Sequence, residues 1–281
     1  MKKLKIYFLF FFIAFNSLGQ KNNEPRIWEV NPGDDYKAVL NQVQPGDELV
    51  LHEGIYEGAL VITKSGLPGK PITIRGNGNE ERPVLLLESR GNLMQINASN
   101  IILEFLELRS KSGYAIRIGT SKEASSYNNI IIKNCVFYES GGGDISANSS
   151  LSYDNIQILD NYFIGPKTTP VYIGIHDGKA KVTNFLFKGN VIDGSVNDGS
   201  PSTTGYGIQL KLNVTGGIIE NNYITNTKGP CIMVYGSENA NPENANIVRN
   251  NIVVGSRNSA GIVVGRSEEH TSELQSLSHL V

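Results

Sequence analysis

Lys211 lies in the run "GIQLKLNV", where it alternates with Gln209 and Asn213. An amine flanked by amides at every second position can take a proton while its neighbours hold an oxyanion, provided burial or nearby cations lower its pKa. The run "VYIGIHDGK" adds Tyr172 and His176, and "IMVY" ends on Tyr235. A phenol can stack on a sugar ring, and either a phenol or an imidazole can pass on a proton. With Arg117 and Asn148, these residues suit the abstraction of a proton beside a carboxylate, where a cation or hydrogen-bond donors must stabilise the developing charge. Lys211 reads as the base. His176 and Tyr235 read as alternative bases or proton donors, and Arg117, Asn148, Tyr172, Gln209 and Asn213 as contacts for a carboxylate or hydroxyls.

Each assignment has a plainer competitor. A lysine on an exposed strand is ordinarily just solvated. His176-Asp177-Gly178 has the composition of a turn, and tyrosines are common half-buried strand residues. Asp144 follows Gly141, Gly142 and Gly143 and reads as a turn residue.

These residues are far apart in sequence, so a repeating element must bring them together. The pattern of apolar alternation, two turn residues and further alternation recurs as "IIIKNCVF", "IQILDNYF", "FLFKGNVI", "GIIENNYI" and "NIVRNNIV". Asn134, Asn161, Asn190, Asn222 and Asn251 mark it, about thirty residues apart. "IILEFLEL" fits the same frame with Phe105 in the asparagine's place. A period of that size, carried by short alternating strands without helical stretches, predicts an all-β right-handed parallel β-helix over residues 27–265. The asparagines are expected to adopt the left-handed conformation at the bends and to bond the next coil through their amides.

In such a fold, outward residues of successive coils stack into columns. With Ile116, Ile145, Val171, Ile208, Ile232 and Ile262 facing inward, one outward column reads Arg117, Ser146, Tyr172, Gln209, Met233, Val263. A second reads Gly119, Asn148, Gly174, Lys211, Tyr235, Gly265. The candidate residues therefore converge on one wall. That wall shows Asp144 as its one carboxylate, whereas a glycoside hydrolase needs two about 5–10 Å apart. The sequence has no Ser-His-Asp constellation, phosphate-cradling loop or HExxH helix.

The ends of the chain read differently. Lys2, Lys3 and Lys5 precede the apolar run "IYFLFFFIAF" and small residues at Ser17 and Gly19, which predicts a signal peptide over 1–19 and a secreted, periplasmic or surface location with no membrane attachment after cleavage. A formal net charge of -2 offers no basic field for nucleic acid, and a monomer is expected. Cys135 and Cys231, separated by about three coils, are expected to be free thiols. Asp34 or Asp35 would cap a short helix, "YKAVLNQV", over the open first coil. After "AGIVVG" the repeat stops at Arg266. Residues 266–281 open with "RSEEHTSELQS", which resembles the translation of a sequencing-library adapter and reads as a non-native tail.

The stretch from Ala38 to Pro83, with "PGDELVLHEGIY" and "SGLPGKPITIRG", resembles the opening of secreted β-helix polysaccharide lyases of the alginate lyase and chondroitinase B group. The resemblance implies β-elimination on an acidic polysaccharide, by a lysine and an arginine acting with calcium held by acidic and amide side chains. Lys211 matches the lysine by strand position. No arginine matches, since Arg249 lies beside a turn asparagine. Asp177, Asp193 and Asp198, in glycine-rich loops, are the candidates for calcium. The alternative is a non-catalytic glycan-binding or surface solenoid, for which the same aromatic and amide columns would suffice.

Overall fold

The computed structural model describes residues 24–78, 81–120, 124–175, 179–195, 204–236, 241–257 and 260–265. The leader expected over 1–19 and the tail expected over 266–281 lie outside the described residues. From Glu48 the chain repeats one circuit: a strand on a first sheet (Glu48–Leu51), one on a second (Gly54–Glu57), one on a third (Leu60–Ile62), then back to the first. Every strand pairs in parallel with its counterpart in the next circuit, building sheets of 11, 8 and 8 strands. No described helix is long and apolar enough to cross a membrane.

The register follows from side-chain alternation. On the first sheet Ile72, Ile101, Ile130 and Ile156 lie one above another. On the second, Leu108, Phe137, Phe163 and Ile192 do the same, with the Phe137 and Phe163 rings stacked at 4.7 Å. On the third, the partners run Ile116, Ile145, Val171, Ile208, Ile232, Ile262. A single circuit cannot bury its apolar face alone, so stacking joins all three columns into one core.

The bend between the first and second sheets corrects one expectation. Its left-handed position is held by Phe105, Asn134, Asp160, Gly189, Asn221 and Asn250, with φ between 51° and 68°. The residue that follows builds the amide ladder. Cys135 N–H donates to Asn161 Oδ1 at 2.8 Å, Asn161 N–H to Asn190 Oδ1 at 3.0 Å, Asn190 N–H to Asn222 Oδ1 at 2.9 Å, and Asn222 N–H to Asn251 Oδ1 at 3.0 Å. Asn134 therefore aligns with Asn221 and Asn250, not with Asn161 as the spacing suggested. The doubled asparagines divide two tasks: the first supplies backbone conformation, and the second satisfies buried polar groups of the neighbouring coil.

The only helix among the described residues is Tyr36–Leu40, with Asp35 accepting from Ala38 N–H at 3.0 Å. It buries Tyr36 and Leu40, and the Tyr36 ring meets Tyr56 edge-on at 5.4 Å. Next to it, buried Asp47 accepts hydrogen bonds from Arg26, Trp28 and the Gln44 backbone. Burial opposes ionisation there, but these donors prevail and hold the carboxyl at about 2. Cys135 and Cys231 are both buried and free, and burial pushes the Cys135 thiol up to about 12.

Candidate functional site

The outer face of the third sheet carries the columns read from alternation. Arg117 pairs with Ser146, Ser146 with Tyr172, Tyr172 with Gln209, Gln209 with Met233, and Met233 with Val263. Two residues further along, Lys211 N–H donates to Ile173 O and the Tyr235 position is opposite Gly265. Lys211 is thereby placed between the coils that present Tyr172 and Tyr235.

Lys211 is 4% exposed, which removes the reading of a solvated strand lysine. Its Nζ lies 4.4 Å from the centre of the Tyr235 ring and 5.1 Å from that of Tyr172. Space for this conformation comes from Gly174, where an added Cβ would stand 3.2 Å from Lys211 Cβ. Burial lowers the amine to about 8, because water that would solvate the ammonium is replaced by ring faces. Burial pushes the Tyr172 phenol up to about 12, with Tyr114 and Tyr235 adding to it, and raises Tyr235 as well. At neutral pH both phenols are protonated, beside an amine a unit or so from releasing its proton.

Around this pair, Gln209 is buried between Tyr172 and Met233. Met233, Tyr235 and Val263 form a small apolar cluster of their own, packed by Tyr206, Leu212 and Ala260. Asn213 does not extend the strand face. It has φ 60° and its carbonyl accepts from Val182 N–H, so it forms the bend back to the first sheet. His176, Asp177 and Asp198 lie outside the described residues. Asp193 is on the second sheet, where its carboxylate already accepts from the Ser195 N–H and hydroxyl. Among the described residues no three His, Cys, Asp or Glu side chains gather. Arg249 is paired with Glu220 on the first sheet and is no partner for Lys211.

The residues sequence reasoning missed lie in the bends leading into the third sheet. Tyr206 packs on Tyr235, and the Tyr114 ring lies 6.0 Å from the Arg117 guanidinium. Bend residues have no alternation to reveal which way they face. Asp144 is 1% exposed, and among the described residues neither of its oxygens has a hydrogen-bond partner of normal geometry. Burial pushes its carboxyl up to about 7, against a smaller pull from the Ser140 hydroxyl. An unsatisfied buried polar group costs on the order of 1–3 kcal/mol, so Asp144 is an expensive residue to keep for shape alone.

Comparisons agree with this architecture. The sequence matches the family described as right handed beta helix region over residues 87–275. The crystal structure of an alginate lyase from Paenibacillus sp. str. FPU-7 superposes with a TM-score of 0.68 at 19% identity, over 84% of this chain and 80% of that one. Two structures of the PL6-family alginate lyase AlyGC give a TM-score of 0.48 each, at 17% and 15% identity; they cover 84% and 85% of this chain but 36% and 40% of theirs. Comparison with curated proteins finds no match. At these identities the likeness to the solved structures is one of fold. The match over residues 87–275, joined to the three stacked parallel sheets, is decisive: the chain belongs to the right handed beta helix family.

Proposed function

We propose that the chain is an exported polysaccharide lyase that cleaves a uronate-containing polymer by β-elimination on the outer face of its third sheet. One observation carries this reading: Lys211 is buried between two tyrosine rings with its amine lowered to about 8. A neutral amine held there can take the proton next to the uronate carboxylate. In this reading the Gln209 amide hydrogen-bonds the carboxylate as charge moves onto it. The bond to the leaving glycosidic oxygen then breaks as the ring double bond forms, and a protonated phenol, Tyr235 or Tyr172, supplies the proton that oxygen needs. The proton on the lysine then passes through water to the phenolate, which returns both groups to their starting states. The fold shared with the Paenibacillus alginate lyase supports the substrate class by analogy.

Incubation with alginate, pectate and chondroitin, followed by ultraviolet absorbance, tests this through the unsaturated uronate product. Appearance of that product from at least one polymer is the expected result. Binding to a polymer without product would favour a non-catalytic glycan-binding solenoid.

A further inference from the structure

The outer face of the second sheet and the bend that follows it repeat one pattern two coils apart. Tyr162, Val191, Tyr223 and Ile252 are register partners in one outward column. Tyr162 is 53% exposed and Tyr223 43%, and among the described residues neither phenol has a hydrogen bond or a ring contact. Each lies five residues before an exposed lysine, Lys167 or Lys228, and Ile252 lies five before the exposed Arg257. The backbone fixes these bend positions: Lys167 N–H donates to Ser140 O at 3.1 Å, Lys228 N–H to Thr204 O at 2.8 Å and Arg257 N–H to Thr227 O at 2.9 Å.

Exposed aromatic side chains scattered singly need no explanation, but these are ordered. The Tyr162 and Tyr223 rungs stand about 10 Å apart, twice the strand spacing. On the first sheet Lys133 and Lys188 are neutralised by their register neighbours Glu104 and Glu220, whereas Lys167, Lys228 and Arg257 have no acidic partner among the described residues. The Arg257 bond to Thr227 O sets it opposite Lys228 on the next coil, an arrangement in which like charges repel. Nearby acids do not cancel the row. Asp193, on the coil between the tyrosines, is already engaged by Ser195 and Asn226, and Glu139 lines the same groove as Lys167 without pairing to it.

Exposed rings beside unpaired cations fit a linear polymer of acidic sugars. The rings take the apolar C–H face of a pyranose, and the ammonium and guanidinium groups take its carboxylates. A 1,4-linked uronate chain advances by roughly one strand spacing per sugar. Alternate sugars of an extended chain running along the stack therefore fall on Tyr162 and Tyr223, with the carboxylates of one edge directed at Lys167 and Lys228. Nucleic acid fits less well, because its phosphates follow at about 3.4 Å along each strand, more closely than the coils stack. We infer that this face of the second sheet and its bend form a docking surface for acidic polysaccharide, separate from the third-sheet wall that carries Lys211. The choice of polymer rests on the lyase reading; the surface itself does not involve Lys211.

The test is calorimetric titration with mannuronate, guluronate and galacturonate hexamers in a Lys211→Ala background, chosen to prevent turnover. This protein is compared with versions that also carry Tyr162→Ala with Tyr223→Ala, or Lys167→Gln with Lys228→Gln. The background protein should bind two hexamers of at least one sugar per chain, and either pair of changes should weaken one of the two at least about tenfold. Melting temperatures should stay the same, since the replaced side chains are exposed. The hexamer lost in the lysine variant should also be released at about 1 M salt, where exposed charges are screened. Hexamer binding unchanged by both pairs would overturn the docking surface and leave the lyase reading standing. Duplex DNA bound more tightly than every hexamer, or a dimer of the protein abolished by the tyrosine changes, would overturn it in favour of another partner. Absence of any hexamer binding would overturn it as well, and the fate of the lyase reading is then read from product formation by wild type, in which these four residues take no part.

Discussion

The Nζ of Lys211 stands 4.4 Å from the centre of the Tyr235 ring. The ring acts on the amine in two opposed ways. Its negative face attracts the ammonium, worth about 0.5–2 kcal/mol, or at most about one and a half pKa units upward at roughly 1.4 kcal/mol per unit. By excluding water it favours the neutral amine, and this effect prevails, since burial sets the value at about 8.

Tyr235→Ala should therefore raise the Lys211 pKa toward the ordinary lysine value, because rehydration outweighs the lost attraction. Tyr235→Phe should leave it near 8. Titration of the isotopically labelled lysine side chain by NMR measures both. An unchanged pKa in Tyr235→Ala would show that the ring is not what keeps water from the amine.

Lys211 also makes folding pH-dependent. Its folded pKa lies below the unfolded value of about 10.4, so between about pH 8 and 10.4 the unfolded chain holds more protons and stability rises with pH. Below about pH 8 the penalty for burying the charge is fully present. Lys211→Met removes the charge at similar length. The variant should melt higher than wild type at pH 7, and its advantage should shrink as pH rises through this window. Parallel melting curves for the two proteins across pH would contradict the buried-amine account.

Asn190→Ala removes a rung of the amide ladder. It deprives Asn161 N–H and the Ile158 carbonyl of their partners, at 3.0 Å and 2.8 Å. Two buried groups left unsatisfied at about 1–3 kcal/mol each give an expected loss of about 2–6 kcal/mol. Urea denaturation measures it, and a wild-type midpoint would show that the ladder is not a source of stability.

Much of this architecture is legible in the sequence because strand alternation is local and the repeat is long-range, and together they set register. The inward column from Ile116 to Ile262 and the outward column from Arg117 to Val263 need nothing more. Asn134 is misleading because two asparagines with different tasks occupy adjacent positions, and in its coil Cys135 takes the ladder place with a thiol where the others have an amide. The burial of Lys211 is not legible, because its cover comes from tyrosines on neighbouring coils and its room from the missing side chain of Gly174. Asp144 is hidden for a related reason: a carboxylate after three glycines has the composition of a turn, and whether it keeps its water depends on the packing around it. Asn213 fails because alternation ends where the backbone enters the left-handed bend.

The most direct test is the initial rate of unsaturated product formation by Lys211→Ala beside wild type, on whichever acidic polymer the wild type cleaves and with folding of both verified by circular dichroism. Loss of a positioned general base should lower the rate about 10²–10⁴-fold, while binding of the polymer persists. A folded Lys211→Ala protein that forms product at the wild-type rate would contradict the assignment of the buried amine as the base.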